Sequence, residues 1–331
     1  MGRLLAFTFL GLIAFWALTV VAFIVRTVGR FVGAEGIPVL ALLMMLAGVI
    51  LDTADSLFFF IAPVSIVVLL VAGLLLRGGR PFPDGQHVPW MGWKEPKVAV
   101  AITAWNDEVA IREAVREFTV EPYVVETIVV DNVSEDETVA VARQQGARVV
   151  IEPNRGYGNV CIRGLREALD NPEANIVVLV EGDMTFCASD MTKMIPYLED
   201  VDMVVGTRTT YELTDATSQM DWFLSWGNLF LATMIRLRYW DPMFFGKVRL
   251  TDVGCTFRVM RKSSLAGMID RLRVGDHHFS PHMILEALRA RLRIIEVPIK
   301  FRKRVGISKG AGGSRVRAMR IGLRMLAEIL Q

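Results

Sequence analysis

Cysteine is scarce and scattered. Cys161, Cys187 and Cys255 are the only three in 331 residues, and no two of them form a C-x-x-C pair. That spacing excludes a zinc knuckle, and an odd, dispersed set fits a reduced compartment rather than a disulfide framework. Net charge is equally small, +2 from 37 basic and 35 acidic side chains, and no motif that reads DNA or RNA occurs. Bulk electrostatics therefore gives no reason to expect a nucleic-acid partner. Internal repeats and low-complexity tracts are also lacking. What the chain has in excess is apolar side chains, 53% of the total and concentrated before residue 77.

Leu4 to Val25 is 22 residues without a charge, enough to cross a hydrocarbon core. It is too long for the apolar part of a signal peptide, and no small-residue cleavage site follows. Leu57 to Leu76 is a second uncharged run of 20, closed by Arg77 and Arg80. Between them Ile37 to Leu51 has only 15 apolar residues and spans if Phe31 to Gly36 contributes or the bilayer thins. The expectation is a membrane region over 1–80 with three transmembrane helices, at about 4–25, 31–51 and 57–76. Arg26 and Arg30 share one side with Arg77 and Arg80, and Asp52 and Asp55 lie on the other. The positive-inside rule then puts everything after residue 77 in the cytoplasm, with Arg3 alone against it. The chain reads as an integral protein of the cell membrane with its folded C-terminal part in the cytoplasm. Residues 81–96, with Pro81, Pro83, Gly85 and Pro89, form a turn-rich linker whose Trp90 and Trp93 suit the headgroup level.

From Lys97 strands and helices alternate, the pattern of an α/β domain with a mostly parallel sheet. Strands are expected at Lys97 to Thr103, Glu126 to Val130, Ala147 to Ile151, Val177 onward, Met203 to Gly206 and Arg293 to Phe301. Helices are expected at about 107–118, 137–145 and 159–169, with another starting at Ser280-Pro281. In VVLVEGDMTF a buried strand ends in two carboxylates, Glu181 and Asp183. Ligands of open α/β sheets sit at such strand ends, and a hydrated magnesium or manganese ion carrying a phosphate relieves the repulsion of paired carboxylates. An isolated acidic-x-Asp is more often a solvated turn, so its neighbours must decide. Trp222 to Trp240 is heavily aromatic and reads either as a core helix or as a helix lying on the bilayer. Residues 311–331 form a basic amphipathic helix, with Arg315, Arg317, Arg320 and Arg324 among apolar residues.

Seven short motifs then recur in order: ITAWNDE, VVDNVSEDET, NRGYGN, EGD, VVGTR, TDVGCTFRVMR and EVPIKFRKRVGISKG. Together, over about residues 97–310, they resemble glycosyltransferases of the GT-A fold, family two. Within these they are most similar to the dolichyl-phosphate mannose synthase-like group of polyprenyl-phosphate sugar transferases. A dinucleotide-binding Rossmann unit needs G-x-G-x-x-G after its first strand, and ITAWND stands there instead.

The resemblance implies roles. Asn106 and Asp107 would begin the nucleotide cradle, Asp131 would contact the base, and Gly156 and Gly158 would let the backbone approach the nucleotide-sugar donor. Glu181 and Asp183 match the motif that holds a divalent metal, magnesium or manganese, on the donor diphosphate. Arg208 would bind an acceptor phosphate, Asp252 would lie near the acceptor, and Arg302, Arg304 and Lys309 would close a basic loop over the phosphates. Ser225 and Asn228 keep the acceptor-helix pattern, but the arginine that commonly precedes the serine is missing, and Tyr157 stands where lysine is frequent. His277, His278 and His282 with Glu286 lack tight zinc spacing and read as structural or pocket-edge groups.

The implied activity is inverting transfer of a hexose from a nucleotide sugar to a polyprenyl phosphate, dolichyl or undecaprenyl, at the cytoplasmic face. Transfer to a hydroxyl of a lipid or polysaccharide, and a catalytically silent nucleotide-sugar-binding scaffold, are the alternatives. Sugar, nucleobase and a homo-oligomer stay open. The topology has a direct check once the native cysteines are replaced. Ser56→Cys should react with an impermeant thiol reagent added outside the cell and Gly85→Cys should not; the reverse labelling inverts the orientation.

Overall fold

The strand β1 (Val98–Ala104) is buried at all seven positions. A strand apolar on both faces needs cover on both faces, which calls for helices packed above and below a parallel sheet. That arrangement forms in the computed structural model, which describes residues 95–239, 248–306 and 314–331. After β1 come α1 (Glu108–Thr119), β2 (Val124–Asp131), α2 (Thr138–Gln144), β3 (Arg148–Ile151), α3 (Tyr157–Asp170) and β4 (Ile176–Glu181). The second half holds α4 (Met191–Met194), β5 (Met203–Thr207), α5 (Trp222–Arg238), β6 (Arg258–Arg261), α6 (Lys262–Ala266), α7 (Phe279–Arg289), β7 (Ile294–Pro298) and α8 (Arg315–Leu330). Residues 82–236 and 248–331 belong to one compact unit.

The sheet runs β3-β2-β1-β4-β6-β5-β7. Neighbours are parallel except β6, which is antiparallel to both β4 and β5. The expected α/β class with a mostly parallel sheet is therefore correct, and β6 is a strand that the apolar pattern does not reveal. It is only four residues, RVMR, all buried. Two arginines in so short a run look like surface. Arg258 instead donates to the Cys255 and Ser280 carbonyls at 3.3 and 2.6 Å, and Arg261 to the Leu198 carbonyl at 2.8 Å through Nε. The reversed direction has a consequence for chemistry. Arg258 pairs with Leu179 and Arg261 with Ile176, so residues entering β6 arrive beside the carboxyl end of β4.

The helices bury stripes at the helical repeat. In α1 the buried set is Ala110, Ile111, Ala114, Val115 and Phe118. The helix α3 lies close to the sheet through Gly164, where a Cβ would stand 3.0 Å from Ala101 Cβ and 3.2 Å from Val130 Cγ2. By contrast α5 buries only Leu231, Ala232 and Ile235, leaving Trp222 and Trp226 exposed at 65% and 67%. In α8 Val316, Met319 and Leu323 are likewise exposed. The three cysteines are buried and free.

Among the described residues no helix is long and apolar enough to cross a membrane. The expected spans at 4–25, 31–51 and 57–76, linker residues 81–94, Trp240 and Lys309 lie outside the described residues. Close packing at α3 gives a measurable expectation. Gly164→Val forces branched methyls into contacts already at 3.0 Å, and such overpacking should lower unfolding free energy by about 1–3 kcal/mol. A urea melt that leaves the midpoint unchanged would contradict it.

Candidate active site

A cavity of about 410 Å³ opens where β1 and β4 end, and Glu181 and Asp183 both line it. Glu181 is oriented through one oxygen: Oε1 accepts from Tyr157 OH at 2.9 Å and from Thr256 Oγ1 at 2.7 Å. Thr256 sits in the approach to β6, which is how the antiparallel strand contributes to the site. Tyr157 also stacks on His277, ring centroids 5.9 Å apart. Asp183 is 1% exposed. Its Oδ1 accepts the Thr185 N–H at 3.0 Å and the Thr185 hydroxyl at 2.5 Å. Arg304 Nη1 stands 2.8 Å from its Oδ2, but the approach lacks hydrogen-bond alignment, so Oδ2 remains a buried acceptor without a hydrogen bond. Burial first, then the charge of Glu181, push the Asp183 carboxyl up to about 6, against the pull of Arg304 and Thr185.

A buried ion pair forms a second part of the site. Asp252 is 0% exposed. Arg208 donates to it from Nε at 2.7 Å, from Nη2 at 2.9 Å and from its backbone N–H at 3.1 Å. The Gly254 N–H adds a fourth bond at 3.0 Å. Burial alone would raise the Asp252 pKa, but the charge and hydrogen bonds of Arg208 outweigh it and hold the carboxyl below its usual range. Arg208 also lies over the Phe301 ring at 5.2 Å. Two further side chains hold the turn around Asp252. Glu296 of β7 accepts the backbone N–H groups of Thr251 and Asp252 at 2.8 Å each, and Asn228 Oδ1 of α5 accepts that of Gly254 at 3.0 Å. Arg208 lines the cavity; Asp252 stands behind it.

On the side expected to hold the nucleotide, the residues are redistributed. Asp107 lines the cavity, receives the Trp105 N–H at 3.1 Å and lies 3.5 Å from Arg304. Asn106 bridges two loops instead: its N–H donates to Ser134 Oγ and its Oδ1 accepts from Glu135 N, both at 2.8 Å. Asp131 is not on the cavity. It is 1% exposed and closes its own turn, accepting the Ser134 N–H at 2.9 Å. The next residue, Asn132, reaches the cavity, tying Gly156 N at 3.0 Å and the Glu152 carbonyl at 2.8 Å. At the rim Arg155 lies 5.3 Å over the Trp105 ring.

The two glycines of NRGYGN serve a close approach of the chain to itself. A Cβ on Gly156 would come within 2.3 Å of the Gly275 carbonyl oxygen, and one on Gly158 within 2.0 Å of that of Val274. Backbone from the 274–275 segment packs against both glycines. Gly156, at φ +135°, still lines the cavity and Gly158 does not.

The basic loop divides as well. Arg304 reaches the cavity and its buried Nε has no hydrogen-bond partner. Arg302 turns to α1, where it pairs with both Glu117 oxygens at 2.7 and 3.2 Å. Lys309 is outside the described residues. In α5 it is Phe223, Leu224, Gly227, Asn228 and Leu231 that line the cavity, not Ser225. His282 accepts the Arg273 N–H at 3.2 Å and contacts Glu328 of α8 at 2.7 Å through Nδ1, while Glu286 pairs with Arg289. Sequence reasoning missed Asn132, Thr256 and Glu296 as organising residues. Glu296 had a visible signal, the charged residue in the EVPI strand.

The comparisons with known proteins agree with one another. The model of the family described as Glycosyl transferase family 2 matches residues 99–267. An uncharacterized glycosyltransferase of Mycobacterium tuberculosis is 29% identical over 190 residues, 56% of this chain and 78% of its own. A dolichyl-phosphate hexose transferase of Haloferax volcanii is 26% identical over 224 residues, 66% of this chain and 90% of its own. The crystal structure of the glucosyl-3-phosphoglycerate synthase of Mycobacterium tuberculosis, in complex with Mn2+, uridine diphosphate and glucosyl-3-phosphoglycerate, aligns with a TM-score of 0.52 at 17% identity. That alignment covers 71% of this chain and 79% of the synthase. At such identity the likeness speaks for the fold, which is GT-A.

The buried pair gives the prediction. Removing one partner strands the other charge, so Arg208→Met and Asp252→Asn should each lower unfolding free energy by about 3–5 kcal/mol. The double variant should cost less than the sum. A lowered carboxyl pKa stabilises the fold above the unfolded value, about pH 4, and that contribution disappears as pH falls. Asp252→Asn should therefore flatten the acid side of the stability profile. Additive losses in denaturant melts would contradict the pairing.

Proposed function

The chain belongs to glycosyl transferase family 2 and is a glycosyltransferase, and from that premise we propose that it moves a hexose from a nucleotide sugar to a polyprenyl phosphate, with inversion, at the cytoplasmic face of the membrane. The observation that carries this reading is the composition of the cavity. Its lining joins a charged set, Asp183, Glu181, Arg208 and Arg304, to a set of apolar residues from α5 and α8. A lipid phosphate has the same two parts.

Three residues that line the cavity carry a buried polar atom without a hydrogen bond: the acceptor Asp183 Oδ2, the donor Arg304 Nε and the acceptor Gln219 Oε1. Buried polar atoms in native sites are normally satisfied, so each is suited to a ligand. The first suits a hard cation, the second a phosphate oxygen. Asp183, with Glu181 beside it, would hold magnesium or manganese, and a bound ion of this kind offsets charge growing on a diphosphate leaving group. Among the described residues no three carboxylates, histidines or cysteines form a metal cage. One or two carboxylates completed by substrate phosphates is the usual magnesium arrangement.

Arg208 commits Nε and Nη2 to Asp252, which fixes its guanidinium at the cavity edge. That rigidity suits recognition of a phosphate, since the planar fork keeps its geometry. The same pairing bears on the acceptor. A hydroxyl needs a general base, whereas a phosphate is already an anionic nucleophile. Asp252 accepts four hydrogen bonds and is held ionised by Arg208. A carboxylate so engaged is a poor base, which favours the phosphate acceptor.

Exposed Trp222, Trp226 and Phe230 on α5, and Val316, Met319 and Leu323 on α8, support membrane contact, with Arg315, Arg317 and Arg320 suited to anionic headgroups. To test the whole reading, full-length protein would be incubated with a panel of nucleotide sugars and undecaprenyl or dolichyl phosphate, and the products weighed by mass spectrometry. A hexosyl-phosphoryl-polyprenol is expected. It should vanish in Asp183→Ala or in excess chelator and return with magnesium or manganese. Full turnover in chelator would rule out the metal, and the absence of any glycolipid would rule out the function.

A further inference from the structure

Four glycines lie within the long helices α3, α5 and α8, and they divide by surroundings. Gly158 and Gly164 of α3 are crowded: a Cβ would meet the Val274 carbonyl oxygen at 2.0 Å and Ala101 Cβ at 3.0 Å. Packing requires them. Gly227 of α5 and Gly322 of α8 are the opposite case, since among the described residues a Cβ at either would meet nothing within 4 Å. Glycine is the poorest helix former after proline, so alanine would be the better choice at both positions on stability alone. Both glycines line the same cavity. Among the described residues no packing contact requires either glycine, and Gly227 is exposed, so their missing side chains keep that space open.

The wall they belong to is apolar. Every α8 residue on the cavity, Ala318, Ile321, Gly322 and Met325, is without a polar side chain, and the spacing is one helical stripe. From α5 Leu224, Gly227 and Leu231 add to it, and the polar Asn228 is already bonded to Gly254 N and to the Leu224 carbonyl. A sugar or nucleobase buried against this wall would leave its hydroxyls and amides unpaired. An apolar chain would not, and Arg208 and Arg304 line the same cavity and would be within its reach for a phosphate. We propose that Gly227 and Gly322 set the bore of an apolar lobe that seats the first isoprene units of the acceptor chain, so that these two positions determine which acceptors enter. The proposal rests on the lipid-phosphate reading above and adds to it the residues that select the chain.

The test uses full-length protein in lipid nanodiscs, with farnesyl phosphate as the chain probe and a nucleoside diphosphate as the control. Gly227→Leu and Gly322→Leu should each weaken farnesyl phosphate binding by about ten- to two-hundredfold, the range for changes of this size in an apolar pocket. Nucleoside diphosphate affinity should stay at the wild-type level, and Tm should hold or rise by about 2–4 °C, because a helix glycine has been replaced. The alanine variants should give the same order at smaller amplitude, and they decide the matter if leucine unfolds the chain. Wild-type farnesyl phosphate affinity in the substituted proteins overturns the proposal, as does a wild type that binds no farnesyl phosphate. Failure of the parent reading looks different. A wild type that binds the chain, loses it on substitution, yet transfers no sugar to any polyprenyl phosphate keeps the seat and forfeits the function.

Discussion

The ion pair between Arg208 and Asp252 organises the site from within. Asp252 is fully buried, and an isolated buried carboxylate would take up a proton rather than hold its charge. Arg208 prevents this by a two-pronged contact plus its own N–H. The pair in turn requires its surroundings. Glu296 brings β7 to the Thr251–Asp252 turn, and Asn228 brings α5 to Gly254. Three elements far apart in sequence therefore meet at one buried charge, and the cavity wall inherits its position from them.

Sheet topology explains why chemistry gathers at that point. Parallel strands present their carboxyl ends on one edge, where β1 delivers Asp107 and β4 delivers Glu181 and Asp183. The antiparallel β6 brings its amino end to the same edge, so that Thr256 orients Glu181 and Gly254 borders Arg208. The two buried aspartates are tuned in opposite senses. Asp183 is raised by burial and by Glu181, while Asp252 is lowered by Arg208. Each faces an arginine, Arg304 for Asp183 and Arg208 for Asp252, and only at Asp252 does the arginine outweigh burial.

Much of this was legible in the sequence because the parallel strands are continuous apolar runs, and β1, β2, β3 and β4 fall within a few residues of where such runs predict. The carboxylates that end β4 and the arginine that follows β5 were legible for the same reason. What failed depends on long-range pairing. RVMR is a strand only because carbonyls from residues 198, 255 and 280 receive its arginines. Asp131 looks like a base-contacting residue until its turn closes on Ser134, which moves Asn132 into the cavity instead. Glycine spacing at 156 and 158 correctly signals a close backbone approach, and the backbone that approaches is that of residues 274–275. Arg302 and Arg304 are two residues apart and equally basic, and the carboxylates they meet, Glu117 for the first and Asp183 and Asp107 for the second, send them to different places.

These features converge on one chemical distinction, the nature of the accepting oxygen. A site whose buried carboxylate is saturated by arginine suits an acceptor that arrives already ionised. The most direct measurement compares two acceptors that differ in nothing else, a polyprenyl phosphate and the free polyprenol of the same chain length, each offered to the full-length protein with the same nucleotide sugar. Glycosylation of the phosphate, with none of the alcohol above background, is the expected result. Glycosylation of the alcohol at a comparable rate would mean that a general base operates in the cavity. That outcome would contradict Arg208 as a phosphate-binding group and Asp252 as its neutralised partner.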